Sequence, residues 1–389
     1  MRSVLIAKPG HPNTGVGRYV RMLDHGLRED GVEVMQVTPV APPLPDAAYA
    51  SLRRLRIDLR SFLLHYPLWA NYPPADVYHV TSQNLATLLL LRRPTGRVIV
   101  TVHDIIPYML RNDPQLCVYR TFADRLFDRL ALLGLRRADH LIADSQYTRQ
   151  CVVEQLGMEP GKIDVVHLGI DHQRFRPVAA SPALYARYRL PVDRRYLIYV
   201  GSEDPRKNLG ALLHALATVR QTCPDVALIK VGRAYFERER QRLLDLASSL
   251  GIGDAIYFLD DVPEDDLPAL YSLATVCVLP SLYEGFGFPV LEAMACGTPV
   301  VCAWVASLPE LVDKAALIFR PDGNNGAEIA AAIRCLLTDE LRRQELAGAG
   351  LAQAANFRWD RTAARTCAVY HTNQHPGTSR PTIADSHAD

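Results

Sequence analysis

Two glutamates bracket a glycine-bearing turn within the stretch PSLYEGFGFPVLEAMACGTP, residues 280–299. The apolar run 274–279 precedes the turn and is typical of a buried parallel strand. Pro289 follows the turn at a position where a helix can begin, because the amide that proline lacks has no intrahelical partner there. The sequence therefore predicts a strand, a turn and a helix, with Glu284 in the turn and Glu292 in the first turn of the helix.

This order of elements predicts an anion-binding site. Free backbone amides and the positive end of the helix dipole converge where the turn enters the helix. A phosphate bound at the amides of Gly285, Phe286 and Gly287 would leave the two carboxylates free to accept hydrogen bonds from hydroxyl groups on either side. That chemistry suits a sugar joined through a diphosphate to a ribose. The alternative is an ordinary Rossmann-like crossover in which Glu284 and Glu292 face solvent.

Two cations mark a second candidate site, in GSEDPRKNLGALLHAL. A strand predicted at 196–200 runs into Gly201 and Ser202, and a helix begins directly after Arg206 and Lys207. Cations at a helix N-terminus oppose the helix dipole unless an anion lies between them and the amides. A bound diphosphate would resolve this conflict, and the arginine would offer it a forked donor. The alternative is a solvated charged turn.

A glycine loop, PGHPNTGVG at 9–17, lies between the first predicted strand and a helix predicted at 18–29. Gly15 and Gly17 would let the backbone approach a ligand closely. The loop lacks the third glycine of a dinucleotide fingerprint, and the next strand, 32–37, has no acidic residue at its end. These absences argue against a nicotinamide-dependent oxidoreductase. A tight turn without a ligand is the alternative.

His103 and Asp104 follow a strand predicted at 97–102. Residues at the carboxyl ends of parallel strands point into the ligand crevice of such folds. A single histidine is more often structural, but a His-Asp pair at a strand end favours a functional role.

The stretch EGFGFPVLEAMACGTPVV closely resembles the Glu-x7-Glu motif of the retaining family 4 glycosyltransferases, which have the two-domain GT-B fold. The resemblance implies that Glu284 contacts the donor hexose, that Glu292 holds the ribose and that the amides between them meet the diphosphate. The segment DDVPEDDLPALYSLA resembles the region whose backbone reads the nucleotide base, with Val262 and Leu267 as candidate contacts.

Three further segments share this resemblance. EDPRKNL matches the phosphate-binding stretch of the family. Many members have arginine where this chain has Ser202, whereas mannosyltransferase-like members have threonine or serine there. GVGRYV resembles the glycine loop that faces the diphosphate and the acceptor. VHDIIP resembles a segment of the mannosyltransferase-like branch, which implies that His103 contacts the donor sugar and that Asp104 is an acceptor-side or orienting carboxylate.

The resemblance implies a retaining hexosyltransferase of glycan or polysaccharide biosynthesis, with no cofactor. Metal independence is expected because Arg206 and Lys207 would do what a divalent ion does elsewhere, and because no predicted strand ends in an Asp-x-Asp pattern. The donor would be a nucleotide-diphosphate sugar: the resemblance favours GDP-mannose, with UDP-hexoses and other sugars as alternatives. The acceptor would be a saccharide or a lipid-linked saccharide. Front-face attack is expected, with the leaving phosphate as base and Glu284 orienting the sugar rather than acting as nucleophile. A nucleotide-sugar hydrolase or epimerase of the same fold and a two-lobed, non-enzymatic binding protein are the alternatives.

Alternating strands and helices over 389 residues independently predict an α/β protein with two doubly wound lobes. The expected units are an acceptor-side domain at 1–175, a nucleotide-sugar-binding domain at 190–355, a helix at 356–370 that returns to the first domain, and a disordered tail at 371–389. The stretch 174–193, rich in proline and arginine, is the expected linker.

Composition excludes several other classes. A net charge of +1 gives no support to a nucleic-acid partner. The eight cysteines include no Cys-x2-Cys pair, so neither a zinc site nor a disulfide framework is expected. The short apolar run at the N-terminus predicts a first strand rather than a signal peptide, and no apolar stretch is long enough to span a membrane. A cytoplasmic enzyme is expected.

Charge is distributed unevenly, with +5 over residues 1–180 and −4 over residues 181–389. Within the basic half, SLRRLRIDLRSFLLHYPLW at 51–69 alternates arginines with apolar residues. A basic amphipathic helix can lie on an anionic membrane surface, which would place the enzyme at the inner face of the membrane. The alternative is a surface helix with a solvated arginine face.

Overall fold

The structure is a computed structural model that describes residues 1–8, 14–39, 59–234, 237–321 and 326–372. Over these residues the chain forms two six-stranded parallel sheets, which confirms the predicted α/β architecture of two doubly wound lobes. The first sheet contains β1 (Arg2–Ile6), β2 (Glu33–Val37), β3 (Val77–Val80), β4 (Arg97–Val102), β5 (His140–Ala143) and β6 (Ile163–Val165). The second contains β7 (Arg195–Val200), β8 (Val226–Val231), β9 (Ile256–Leu259), β10 (Val276–Leu279), β11 (Val300–Ala303) and β12 (Ala316–Phe319).

Helices cover both faces of each sheet, as parallel sheets require. In the first lobe they are α1 (Gly15–Glu29), α2 (Leu59–His65), α3 (Leu88–Leu91), α4 (Ile106–Met109), α5 (Phe122–Leu135) and α6 (Gln146–Leu156). Those that follow are α7 (Pro182–Tyr188), α8 (Leu209–Arg220), α9 (Glu237–Ser249), α10 (Leu267–Leu273), α11 (Phe288–Ala295), α12 (Leu308–Val312), α13 (Ala327–Thr338), α14 (Glu340–Ala354) and α15 (Trp359–His371).

The strand order creates one ligand crevice in each lobe. The first sheet runs β2-β1-β3-β4-β5-β6 and the second β12-β11-β10-β7-β8-β9. The direction of winding therefore reverses between β1 and β3 and again between β7 and β10. Ligands of open parallel sheets bind beyond the carboxyl ends of the strands at such reversals. The loops after these four strands are thus the positions from which a site would be built.

A single apolar cluster joins the two lobes. It includes Tyr19 and Leu23 of α1, Phe286 and Val290 near the start of α11, and Trp359 of α15, all of them buried. The helix α15 packs tightly on α1, where a Cβ added at Gly26 would lie 2.5 Å from the Cβ of Ala363. The two lobes are therefore packed together around the cleft between their sheets.

Three expected segments differ from the structure in part or lie partly outside the described residues. The expected linker 174–193 contains a helix, α7, because Ser181 caps its N-terminus and Pro182 occupies its first turn. Of the basic segment 51–69, residues 51–58 lie outside the described part of the chain and α2 forms within the remainder. Of the expected tail, α15 includes His371, and the residues from 373 onward are not described.

Among the described helices, none combines the length and the apolarity needed to cross a bilayer.

Candidate active site

The turn before α11 depends on a glycine. Gly287 has a φ of +117°, and a Cβ there would lie 2.7 Å from Leu308. This conformation lets α11 begin at Phe288 with Pro289 in its first turn, and Gly297, with φ +75°, follows the helix. The predicted strand, turn and helix are therefore present. Glu292 is the fifth residue of α11 and lies in its second turn rather than its first.

Glu284 lies in this turn and is paired with Lys207. The Nζ atom of Lys207 lies 2.6 Å from each oxygen of the Glu284 carboxylate, and Ser281 Oγ donates to the same carboxylate at 2.7 Å. Burial alone would raise the pKa of Glu284, but the charges of Lys207 and Arg206 outweigh it and hold the pKa below its ordinary value. Glu284 is therefore ionised although it is almost completely buried.

Arg206 joins the two predicted donor motifs to each other. Its Nη1 donates to the carbonyl oxygen of Tyr283 at 3.2 Å, and its own carbonyl accepts from the amide of Leu282 at 2.7 Å. Asp204 caps the single turn Pro205–Lys207 by accepting from the Arg206 amide at 3.0 Å. The loop after β7 and the loop after β10 are thus hydrogen-bonded at the crevice of the second lobe, with both cations beside Glu284.

The other predicted donor residues follow two different strands, β7 and β9. Gly201 and Ser202 directly follow β7; the Ser202 carbonyl accepts from Tyr199 at 2.7 Å. Leu267 is buried at the start of α10, whereas Val262 is half-buried against the core. The side chains of both predicted base contacts therefore lie in the core or pack against it.

Both ring nitrogens of His103 are engaged within the first lobe. Nδ1 lies 2.8 Å from the Asp144 carboxylate and Nε2 lies 2.9 Å from the Thr81 carbonyl oxygen. Both partners only accept hydrogen bonds, so both nitrogens donate and the ring is an imidazolium ion. Burial alone would lower the pKa of His103, but Asp144 and the Thr81 carbonyl raise it above its ordinary value. The predicted contact to a sugar would have to replace one of these bonds.

Asp104 of the first lobe lies against the glycine turn of the second lobe. Its Oδ1 accepts from the Ile106 amide at 3.1 Å, while a Cβ added at Gly285 would lie 3.2 Å from its Oδ2. Burial raises the pKa of Asp104, and the Arg206 charge opposes that rise. The predicted residues His103 and Asp104 are therefore brought next to the glycine turn that holds Glu284.

The predicted glycine loop also meets the second lobe. Thr14 caps α1 by accepting from the Gly17 amide at 3.1 Å, and a Cβ added at Gly15 would lie 3.6 Å from the ring of Phe288. Gly15 and Gly17 thus lie at the entry to α1, with Gly15 facing the start of α11.

Sequence reasoning missed three residues that connect these parts. Arg18 of α1 binds Glu292, whose other oxygen accepts from Tyr271 at 2.8 Å. Asp144 holds His103, and Glu310 of the second lobe accepts from the first two amides of α6. Arg18 directly follows the glycine loop and Asp144 follows β5, so their positions along the chain were signals of proximity to the cleft. Nothing local to Glu310 indicated its partner.

Replacing His103 by glutamine is expected to destabilise the protein, most strongly at acidic pH. The raised pKa means that the charged pair contributes fully below the ordinary value of 6.5 and is lost as pH rises through the raised value. We expect a loss of about 3–5 kcal/mol in the free energy of unfolding near pH 6, because Asp144 remains buried without its partner. Urea denaturation at several pH values measures this.

The matched control for this variant is His140→Gln. His140 Nε2 lies at the same distance, 2.8 Å, from Asp164, whose side chain is half-exposed. Because solvent can hydrate the carboxylate of Asp164, we expect a smaller loss in the free energy of unfolding for this variant. A His103→Gln effect that does not shrink as pH rises would contradict the imidazolium assignment.

In the described part of the chain, no three or more His, Cys, Asp or Glu side chains are grouped so that they could hold a metal ion.

Each of the two lobes matches a known protein family. Residues 13–174 match the family described as Glycosyltransferase Family 4, and residues 182–352 match the family described as Glycosyl transferases group 1. The chain belongs to the group 1, family 4 glycosyltransferases.

Individual relatives of this family member differ in how much of their length they share with it. The O-antigen chain mannosyltransferase B of Escherichia coli is 29% identical over 95% of this chain and 99% of its own length. The D-inositol 3-phosphate glycosyltransferase of Salinispora arenicola is 36% identical over 60% of this chain and 54% of its own length. The chain thus spans about half the length of the inositol phosphate glycosyltransferases.

Solved structures agree on the fold of this family member. The sucrose-phosphate synthase from Thermosynechococcus elongatus superposes with a TM-score of 0.73 at 23% identity, covering 95% of this chain and 98% of that one. WaaG, described as a glycosyltransferase involved in lipopolysaccharide biosynthesis, gives 0.66 at 16% identity. The fold is GT-B.

Proposed function

We propose that this chain transfers a hexose, with retention of configuration, from a nucleoside-diphosphate sugar to a saccharide or lipid-linked acceptor. The observation that carries the proposal is the buried pair of Lys207 and Glu284, which lies with Arg206 where the loops after β7 and β10 meet. A cation pair at the helix start that follows a parallel strand suits a diphosphate. Asp104 of the opposite lobe completes the cleft.

The donor would occupy the second lobe. Its diphosphate would lie against the amides of the turn at Gly285 and Gly287 and against the two cations. Its hexose would lie by Glu284 and its ribose by Glu292. A structural neighbour, Anabaena HepE, was solved in complex with UDP and glucose, with a TM-score of 0.69. The acceptor would enter from the first lobe, beside Asp104 and the glycine loop.

Catalysis would stabilise the departing diphosphate. The bond between the sugar's anomeric carbon and the phosphate oxygen breaks, a bond from the acceptor oxygen forms on the same face, and the acceptor proton passes to the leaving phosphate. Lys207 and Arg206 stabilise the charge that develops there, the role that a divalent ion has in metal-using transferases. Glu284, held by Lys207 and Ser281, orients the sugar and is not the nucleophile.

Mannose is the proposed hexose and GDP-mannose the proposed donor, because O-antigen mannosyltransferase B matches along nearly its whole length. On the same ground we propose that the reaction belongs to polysaccharide biosynthesis. We place it in the cytoplasm, with the basic segment 51–69 as a peripheral contact to the inner face of the membrane. Liposome flotation with anionic and neutral vesicles would separate that contact from a solvated surface helix.

Thermal unfolding with a panel of GDP, UDP, ADP and dTDP tests the donor class. A ligand that binds only the folded state stabilises it by about 2.7 kcal/mol at 100 times its dissociation constant. We expect GDP to raise the melting temperature and the other bases to raise it less. Stabilisation by none of them would contradict the proposal.

Incubation with GDP-mannose then separates the alternatives. Transfer to an added mannose-containing acceptor, with the α-linkage of the donor preserved, is expected. Release of free mannose that no acceptor diminishes would indicate a hydrolase, and conversion of the donor to another GDP-hexose would indicate an epimerase. Binding without turnover would favour a non-enzymatic binding protein.

A further inference from the structure

The guanidinium group of Arg18 crosses from the first lobe to the second. Arg18 lies on α1, immediately after the glycine loop, yet its Nη1 binds an oxygen of Glu292 on α11. Its Nη2 lies 3.3 Å from Glu264, in the segment between β9 and α10. One side chain therefore neutralises two carboxylates of the opposite lobe, and it is itself only 7% exposed.

The position of this guanidinium is fixed by its surroundings. Its carbon lies 5.5 Å from the ring centre of Phe175 and 5.4 Å from that of Phe288, and aromatic faces attract a cation at such distances. Glu264 is held in turn by Arg174. A lysine could supply the charge at this place, but not a planar fork that reaches two carboxylates at once.

The carboxylate of Glu292 is consequently held on both sides. One oxygen binds Arg18, and the other accepts from the Tyr271 hydroxyl at 2.8 Å. An ionised carboxylate has about four acceptor positions, so each oxygen keeps one for another donor. A vicinal diol such as the 2′- and 3′-hydroxyls of a ribose supplies two such donors. In addition, the buried Nε of Arg18 has no hydrogen-bond acceptor among the described residues, which leaves a donor for a ligand oxygen.

We propose that Arg18 is a positioning residue that orients Glu292 for the ribose diol and so couples closure of the two lobes to donor recognition. The inference rests on the proposed function, which assigns the ribose to Glu292. Because Arg18 belongs to the first lobe, Glu292 is held in this orientation only while the lobes are together. The acceptor-side lobe thus contributes to the affinity for the donor nucleotide without contacting its base.

The test compares a nucleotide that has the diol with one that lacks it. Isothermal titration calorimetry measures the dissociation constants of GDP and of 2′,3′-dideoxy-GDP for the wild type, Arg18→Gln and Arg18→Lys. If the wild type prefers uridine, the corresponding UDP pair is used. Arg18→Gln is expected to weaken the binding of GDP by about 10-fold or more, the effect of losing one charge-assisted hydrogen bond. It should leave the dideoxy nucleotide within about 2-fold of the wild type. Arg18→Lys should lie between, since it keeps the charge but loses the fork.

The control is Glu310→Gln, which weakens a different contact between the lobes. Glu310 accepts from the amides of Gln146 and Tyr147 at 2.8 and 3.1 Å, away from Glu292. Any effect of this variant should be equal for the two nucleotides. Equal losses for Arg18→Gln as well would show that Arg18 only ties the lobes together and would overturn the inference, as would undiminished GDP binding.

The same measurements separate this inference from the proposed function. If the wild type binds none of these nucleotides, the proposed function fails and the inference fails with it. If the wild type binds GDP but the Arg18 variants do not discriminate between GDP and its dideoxy form, only the inference fails. Should Arg18→Gln not fold, Arg18→Lys still decides, because a residue that acts on the diol must show a larger loss for GDP.

Discussion

Replacing Lys207 by methionine is expected to lower kcat for sugar transfer by about 10²–10³-fold. Lys207 is the cation beside Glu284 at the proposed diphosphate site, and removing one preorganised group that stabilises developing negative charge costs about 3–4 kcal/mol in the barrier. The charge develops only as the diphosphate departs, so kcat should fall more than KM for the donor rises. Initial rates with GDP-mannose and a mannose-containing acceptor measure both constants.

The double variant Lys207→Met with Glu284→Gln controls for misfolding. Lys207→Met alone leaves the buried carboxylate of Glu284 without the ammonium group that binds it, which destabilises the fold as well as the transition state. Glutamine at 284 removes that charge, so the double variant should regain much of the melting temperature but none of the turnover. If it regained turnover together with stability, Lys207 would be a structural partner of Glu284 and not a catalytic group.

Replacing Glu203 by glutamine is expected to cost about 3–5 kcal/mol of the free energy of unfolding. Glu203 and Lys230 have fully buried side chains, and Lys230 Nζ lies 2.6 Å from the carboxylate. Arg240 donates to the same carboxylate through Nε at 2.8 and 2.9 Å. Glutamine keeps the size of the side chain but leaves the buried ammonium of Lys230 without a counter-charge. The midpoint and slope of urea denaturation measure the loss.

The matched comparison replaces both members of this pair, Glu203→Leu with Lys230→Leu. Burial lowers the pKa of Lys230, so its charge is costly inside the lobe, and two apolar residues remove that cost. The double variant should therefore be more stable than Glu203→Gln, with Arg240 still paired to Asp260. If the free energy of unfolding of Glu203→Gln lay within about 0.5 kcal/mol of the wild type, the pair would contribute little to stability.

Features that depend on neighbouring residues could be predicted from the sequence. The turn holding Glu284 was predictable because Pro289 and Gly297 punctuate the helix that follows it. The placement of Arg206 and Lys207 before a helix predicted a bound diphosphate, and that stays a prediction; in the structure Lys207 pairs with the carboxylate of Glu284. The helix α7 could also have been found, since Ser181 before Pro182 is a helix-start signal. Because 174–193 is rich in proline and arginine, the sequence was interpreted as a linker instead.

Features that depend on packing between distant segments could not be predicted. Arg18 and Glu292 are 274 positions apart, and only the meeting of the lobes brings them together. The protonation of His103 likewise depends on Thr81 and Asp144, which directly follow two other strands of the sheet, β3 and β5. The His-Asp sequence at 103–104 suggested a neighbouring pair, but the carboxylate that binds the imidazole is Asp144.

The packing of α15 against α1 has a consequence for the order in which this protein matures during translation. A ribosome that has synthesised β1 to β6 has not yet made the helix against which Gly26 packs and whose Tyr370 hydroxyl bonds His79 of the first sheet at 2.7 Å. The apolar flank of the N-terminal half that α15 covers therefore stays exposed while the C-terminal half is synthesised. Nascent chains arrested before residue 359 should expose that flank to chaperones and proteases.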